Sequence, residues 1–268
     1  ADLPNGKIHY RWLGPENGDV IVMVHGFSSP NRVFEANAQA LAADGHRVLV
    51  FDHFGRGLSD RPKARYDADF YDAELLNLLD VLEVSGPIGL VGLSMGGVIT
   101  PEFAARHPDR VNRIALLVPA GLDTNGASGA MKMALDTPVL GDWLWALTAP
   151  KSLFGDMTYQ ETENPEFNQL QKDILHQVKY RGYFPALLSS LRHLQMKDNE
   201  AVFTGLAGAG MPVLAIYGTA DDVVDISSAD KLANLIPEAN IQRIEDGGHA
   251  VNIHKADEVT PLLLAFFK

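Results

Sequence analysis

The sequence predicts an α/β fold: a mostly parallel central sheet flanked by helices on both faces, interrupted once by a helical insertion. Three observations carry this. From Gly18 to Val118, short apolar runs alternate with amphipathic segments. The runs are apolar at successive positions, as strands covered on both faces require. Between Pro119 and Met211 lie more than 90 residues with helical patterns and no clear strand.

In chain order, Lys7 to Leu13 reads as an antiparallel edge strand and "VIVMVHG" (Val20 to Gly26) as a buried one. Arg32 to Gly45 reads as a helix ended by glycine, His46 to Asp52 as the next strand, and Asp67 to Glu83 as a second helix. Ile88 to Val91 is a strand, "VITPEFAARH" a helix stopped by Pro108, and Val111 to Val118 another strand. The rhythm resumes with Met211 to Gly218, a helix at Ser227 to Leu235, a strand at Ile241 to Ile244 and a last helix at Asp257 to Phe267. A structureless connection of the intervening length is foreign to a compact domain. Residues 1–119 and 211–268 are therefore read as the core domain and 120–210 as a helical cap, built on "GAMKMALD", "LGDWLWALT", "FNQLQKDILHQVKYRG" and "YFPALLSSLRHL".

Composition excludes several function classes. The 268 residues are 46% hydrophobic, enough for one sizeable core. Twenty-two Lys and Arg against 34 Asp and Glu give a formal charge of −12, unsuited to gripping nucleic acid or an anionic membrane surface. With no cysteine, disulfides, thiol catalysis and cysteine-ligated metals are absent. No apolar run approaches the roughly 18 residues of a spanning helix. The N-terminal residues lack the basic-then-apolar pattern of a signal peptide, so a soluble cytoplasmic protein is expected, with Ala1 in place of Met leaving processing and secretion open.

The chemistry centres on Gly92-Leu93-Ser94-Met95-Gly96, a serine between two glycines after one strand and before a helix. A serine hydroxyl needs a base, an orienting acid and an oxyanion site before it is a useful nucleophile. In an open parallel sheet these collect beyond the carboxyl ends of the strands. There stand Asp221, Asp222 and Asp225 in "YGTADDVVD", each also suited to capping the following helix, and His249 in "EDGGHAVNIH". The amides of Gly26 and Phe27 after the first buried strand, and of Met95 after the serine, are candidate oxyanion donors; losing one such donor typically costs about 3 kcal/mol. His25, adjacent to those amides, reads as a structural hydrogen-bonding residue. The order serine, acid, histidine is that of the nucleophile-elbow arrangement.

On these motifs the chain resembles the α/β-hydrolase family. Besides the elbow, His25-Gly26-Phe27 resembles its oxyanion loop, Asp52-His53-Phe54-Gly55-Arg56-Gly57-Leu58-Ser59 its glycine-rich loop, and Gly247-Gly248-His249 its histidine loop. Tyr217-Gly218-Thr219-Ala220-Asp221-Asp222 resembles its acid loop, which places the acid at Asp221 with Asp123 in reserve. The resemblance spans Val20 to Val118 and Met211 to Phe267. It departs at His254 and Ala256, where similar proteins often carry glutamate and proline, which concerns local packing rather than the triad.

The resemblance implies a serine hydrolase: Ser94 nucleophile, His249 base, Asp221 orienting acid, and Phe27 and Met95 amides for the oxyanion. No cofactor and no metal are expected, since His46, His53, His107, His176 and His193 have no ligand spacing. Arg56 reads as structural support of the surface, salt-bridging kind. The expected partners are a small-molecule ester and water, without nucleic acid or integral membrane association. Phe27, Trp143, Trp145, Leu147 and Phe184 are the expected pocket residues, and Met131 and Met133 read as cap core residues or flexible liners rather than ligands. Trp143 and Trp145, two apart, cannot share one helix face. The main reading is cleavage of small to medium carboxylic esters. The alternatives are a lactone, an amide or a carbon-carbon bond on the same triad, the last disfavoured because "HAVNIH" has no indole after the histidine, and a small-ligand binding or signalling protein.

Overall fold

The computed structural model describes residues 1–124, 132, 135–137, 139–154, 159, 161–208 and 210–268. Met131, Met133 and most of "GAMKMALD" lie outside the described residues, as does the side chain of Phe154. A short hairpin of β1 (Asp2–Leu3) and β2 (Gly6–Lys7) precedes the main sheet. The sheet strands are β3 (Tyr10–Leu13), β4 (Val20–Val24), β5 (Arg47–Phe51), β6 (Ile88–Leu93), β7 (Val111–Leu117), β8 (Val213–Gly218) and β9 (Asn240–Ile244). Their spatial order is β3-β5-β4-β6-β7-β8-β9, with β3 antiparallel at one edge and all other pairings parallel.

Side chains of a strand alternate between faces, and this partitions the core. Val22, Val24, Leu49 and Phe51 point to one side, where they meet α2 (Ala68–Val81) through Phe70, Tyr71, Leu75 and Leu78, and α3 (Gly96–Arg106) through Val98, Ile99 and Phe103. Ile21, Met23, Val48 and Val50 point to the other, against Ala38 and Leu41 of α1 (Glu35–Ala43) and Val259, Leu263 and Phe267 of the C-terminal helix Ala256–Phe267. Each such aliphatic side chain taken fully out of water stabilises the fold by about 2 kcal/mol. Strands apolar at successive positions are thus the pattern of a sheet covered twice.

The cap contains α4 (Leu140–Phe154), α5 (Pro165–Gln177) and α6 (Tyr183–His193). Asn164 caps α5, its side-chain oxygen accepting from Glu166 and Phe167 N–H, with Pro165 in the first turn where no amide hydrogen is needed. Trp145, Ala149, Tyr183, Leu187 and Leu188 make a small apolar centre between α4 and α6, and Trp145 Nε1 donates to Phe184 O at 2.7 Å.

Helix α7 (Glu200–Gly208) falls within residues 120–210 but has no part in that centre. Its Val202, Phe203 and Leu206 join the sheet's own apolar cluster, and it packs on α3 and on α8 (Ser227–Leu235). This end of the expected insertion belongs spatially to the helical layer on the sheet. The chain ends with α9 (Val251–His254) and α10 (Ala256–Phe267). Among the described residues no helix is long and apolar enough to cross a membrane.

Candidate active site

Ser94 sits between β6 and α3 with φ of 52°, a left-handed conformation that a residue with a β-carbon adopts only when its surroundings impose it. Its flanks explain how. A β-carbon on Gly96 would stand 2.1 Å from Val24 O, and one on Gly92 would stand 2.4 Å from Gly96 O. Strand and helix therefore approach more closely than any side chain permits. Ser94 N–H donates to Leu117 O at 2.9 Å, and Ser94 O accepts from Gly97 N–H at 2.8 Å and Ala120 N–H at 3.0 Å.

Two further loops converge on the hydroxyl. His249 Nε2 lies 3.0 Å from Ser94 Oγ, and its Nδ1 lies 2.9 and 3.2 Å from the two carboxylate oxygens of Asp221. An ionised carboxylate only accepts, so Nδ1 carries the hydrogen and Nε2 is left to accept from the serine hydroxyl. Asp221 also accepts from the amides of Val223 and Val224 at 2.8 and 3.0 Å. Burial pushes its carboxyl up, but the hydrogen bond from His249 and those from the two amides outweigh this and hold it below the usual carboxylate range. The acid and histidine loops are joined at Gly218, where a β-carbon would stand 2.1 Å from Gly247 O, and Ala220 N–H donates to Gly247 O.

The other two carboxylates of the acid loop and the reserve acid lie elsewhere. Asp222 is exposed, and Asp225 accepts from Ser227 N–H at 2.9 Å, a local capping contact. Asp123 is engaged by Lys231 Nζ at 2.6 Å and Ser227 Oγ at 2.9 Å.

The amide hydrogens of Phe27 and Met95 donate to no described residue. Each shares a peptide group with a carbonyl that is held: Gly26 O by His25 Nδ1 at 2.8 Å, and Ser94 O by the two amides above. His25 Nε2 accepts from His53 N–H at 2.9 Å, which assigns the hydrogen to Nδ1. Burial, with a smaller contribution from His53, lowers His25 to about 3, so its ring is neutral and serves as a strut for the loop.

Arg56 departs from the surface, salt-bridging role expected of it. It is fully buried, and among the described residues no carboxylate lies within ion-pair distance of it. Its guanidinium donates to Phe27 O at 3.0 Å, Phe54 O at 3.2 Å and Ser190 Oγ at 2.8 Å. The glycine-rich loop is anchored instead by Asp52, which accepts from the amides of Asn31 and Leu58, and by Glu74, which accepts from Phe54 N–H at 2.6 Å and also meets His53 Nδ1.

The expected pocket residues divide. Trp143 and Leu147 are 68% and 61% exposed on the outer face of α4, so neither is enclosed by the described residues as a pocket wall would be; the opposite face, with Trp145, is the one that packs on α6. Trp145 and Phe184 belong to the cap centre, tied by their hydrogen bond. Phe27 alone of the five packs on both the sheet cluster and the cap cluster, at the seam beside the elbow. His254, where similar proteins often carry glutamate, packs at a tilt against Phe167 of α5 with ring centroids 4.6 Å apart and so joins the helix after His249 to the cap. Sequence reasoning passed over Gln177 and Ser190, cap residues that reach the loop after β4 and the glycine-rich loop. Their spacing shows only helix faces, and no motif marks them. Among the described residues no cluster of His, Asp and Glu is arranged to hold a metal ion.

The alpha/beta hydrolase fold family matches residues 19–256. A putative non-heme chloroperoxidase of Synechocystis sp. is 29% identical, over 97% of this chain and 95% of that protein. Among solved structures, the enol-lactonase from Burkholderia xenovorans LB400 superposes with a TM-score of 0.78 at 24% identity, covering 100% of this chain and 98% of the other. A meta-cleavage product hydrolase from Pseudomonas fluorescens IP01 superposes at 0.73 and 22% identity, covering 97% and 93%. The strand order, the elbow and the span of the family match agree, and this protein belongs to the α/β-hydrolase fold family.

Proposed function

We propose that the protein is a serine hydrolase that cleaves a carboxylic ester, open-chain or closed as a lactone, through an acyl-enzyme. The observation that carries this is the single imidazole spanning Ser94 Oγ and the Asp221 carboxylate, beside two uncommitted amide hydrogens. His249 takes the Ser94 proton as the oxygen attacks the carbonyl, while the Phe27 and Met95 amides receive the oxyanion. The imidazolium, steadied by Asp221, returns the proton to the leaving alkoxide. In a lactone that alkoxide stays tethered to the acyl group. Water activated by His249 then releases the acid. The lactonase likeness supports including the cyclic ester.

The test compares wild type with Ser94→Ala on nitrophenyl esters of graded acyl length and, by proton release, on lactones of graded ring size. Wild type is expected to turn over and to be labelled by an organophosphonate at Ser94; Ser94→Ala should lose at least about 10⁴-fold in kcat with an unchanged thermal midpoint. Full activity of Ser94→Ala would overturn the mechanism. Labelling without turnover would mark a ligand-binding protein, and cleavage confined to amides or to dienoic diketones would move the substrate to the amide or carbon-carbon class.

A further inference from the structure

The loop after β4 is held from behind along three successive carbonyls. Gly26 O is taken by His25, and Phe27 O by Arg56 Nε at 3.0 Å. Ser28 O accepts twice, from Gln177 Nε2 at 2.5 Å and from the Tyr183 hydroxyl at 2.9 Å. The last two donors come from the cap, at the end of α5 and the start of α6, and both are fully buried.

The Gln177 amide has one orientation open to it. Gly57 N–H donates to its Oε1 at 2.7 Å, so Nε2 must face Ser28 O. This one side chain therefore straps the oxyanion loop, the glycine-rich loop and α5 together. Arg56 makes a second strap: besides Phe27 O it reaches Ser190 Oγ on α6, which also meets the Tyr71 hydroxyl at 2.8 Å, and it lies 3.9 Å from the thioether of Met95. Burying a guanidinium and a carboxamide is costly unless every polar atom finds a partner, and apolar side chains would join cap to core at less cost. Here the polar ties from the cap land on the loop that presents the Phe27 amide.

Resting on the proposed serine mechanism, we infer that Gln177, Tyr183 and Arg56 are positioning residues: a clamp through which the cap sets the angle of the Phe27 N–H toward the oxyanion. Seating of the cap and full competence of the oxyanion site are then coupled, because a cap lifted from the loop leaves Ser28 O without two donors and Arg56 without Ser190, so that the loop is held only by Arg56 at Phe27 O and His25 at Gly26 O. Such donors act through preorganisation, so a small rotation is felt in the transition state and not in ground-state binding.

The experiment uses the full chain and nitrophenyl butyrate, reading kcat and KM separately, the affinity for a trifluoromethyl ketone whose adduct with Ser94 carries the oxyanion, and the thermal midpoint. Tyr183→Phe removes one hydroxyl and is expected to lower kcat about fivefold, and Gln177→Leu about thirtyfold, as one and two buried hydrogen bonds suggest. KM should stay within about twofold, and ketone affinity should fall in step with kcat. Arg56→Lys, which keeps a donor for Phe27 O, should retain more kcat than Arg56→Met. Wild-type kcat in folded Tyr183→Phe and Gln177→Leu, or changes confined to KM or to the thermal midpoint with ketone affinity intact, would overturn the clamp. If Gln177→Leu does not fold, Tyr183→Phe decides. An inert Ser94→Ala beside clamp variants at wild-type kcat removes the clamp alone; an inactive wild type, or an active Ser94→Ala, removes the serine mechanism and the clamp with it.

Discussion

The loops at the carboxyl end of the sheet and the cap above them are held by different means. At the elbow and at the junction of the acid and histidine loops, backbone meets backbone: Gly92, Gly96 and Gly218 stand where any β-carbon would overlap a main-chain oxygen. The cap is joined to the core by side chains, among them Gln177 and Tyr183 to Ser28 O, Ser190 to Arg56 and Phe167 to His254. Backbone contact demands glycine at fixed places and leaves a motif. Side-chain contact tolerates many residues and leaves none. The difference also separates two kinds of fragility, catalytic and structural, which substitution can pull apart.

The largest expected effect is on the acid loop. Asp221→Asn should lower kcat by about 10⁴-fold, because the amide no longer fixes the histidine tautomer, while Asp123→Asn should change it less than about twofold. Steady-state ester kinetics decide, and equal losses would mean that the acid is shared between the two loops. Next, Gly96→Ala should cost about 3 kcal/mol in urea unfolding, its methyl meeting the main-chain carbonyls of Val24 and His25. Gly86→Ala, with nothing within 4 Å of the added carbon, should be close to neutral. Comparable stability in the two variants would refute the close-approach account of the elbow.

In the cap, Trp145→Ala should destabilise by about 3 kcal/mol, through the lost burial and the lost bond to Phe184 O, whereas Trp143→Ser, on the outer face, should cost under about 0.5 kcal/mol. Thermal and urea midpoints measure both, and a large loss in Trp143→Ser would mean that the outer face of α4 is covered in solution.

The smallest effect is a pH dependence of the buried core. Burial lowers His25 and His53 to about 3 and raises Glu74 to about 8. Below the ordinary histidine value of 6.5 the unfolded chain protonates both rings and the fold does not, so their contribution is lost as pH falls from 6.5 toward 3. Glu74 has the opposite sign: between 4.5 and 8 it is ionised when unfolded and protonated when folded, which weakens the fold as pH rises. Two protons against one below pH 6.5, and one alone above it, put the maximum of these three contributions near pH 6.5. The urea midpoint across pH 5 to 8 tests this, and Glu74→Gln should flatten the alkaline limb.

Sheet, elbow and histidine loop were legible because their signals are local: runs apolar at successive positions, glycines at fixed offsets, and residues directly after strands. Helix α7 was not read: Asn199 before it is a favourable cap residue, but "EAVFTGLAG" is short, holds two glycines, and its place on α3 depends on Val202 and Phe203 finding the sheet cluster. Trp143 and Trp145 were correctly separated by their two-residue spacing, but which of them faced inward depended on where α6 lay. Arg56 was misplaced because an arginine in a glycine-rich turn carries no mark of burial; the cap helix that covers it supplies Ser190 from 134 positions away.

By itself the sequence determined the order of strands and helices, the presence of the insertion and the chain positions of Ser94 and His249 directly after their strands, because these follow from periodicity and from backbone conformations that only certain residues adopt. The tertiary structure decided which of several carboxylates meets the imidazole, which cap residues turn inward and which polar side chains hold the loop after β4. Those are contacts between distant segments, and their geometry exists only once the two apolar faces of the sheet have been covered and the cap has come to rest against the loop after β4.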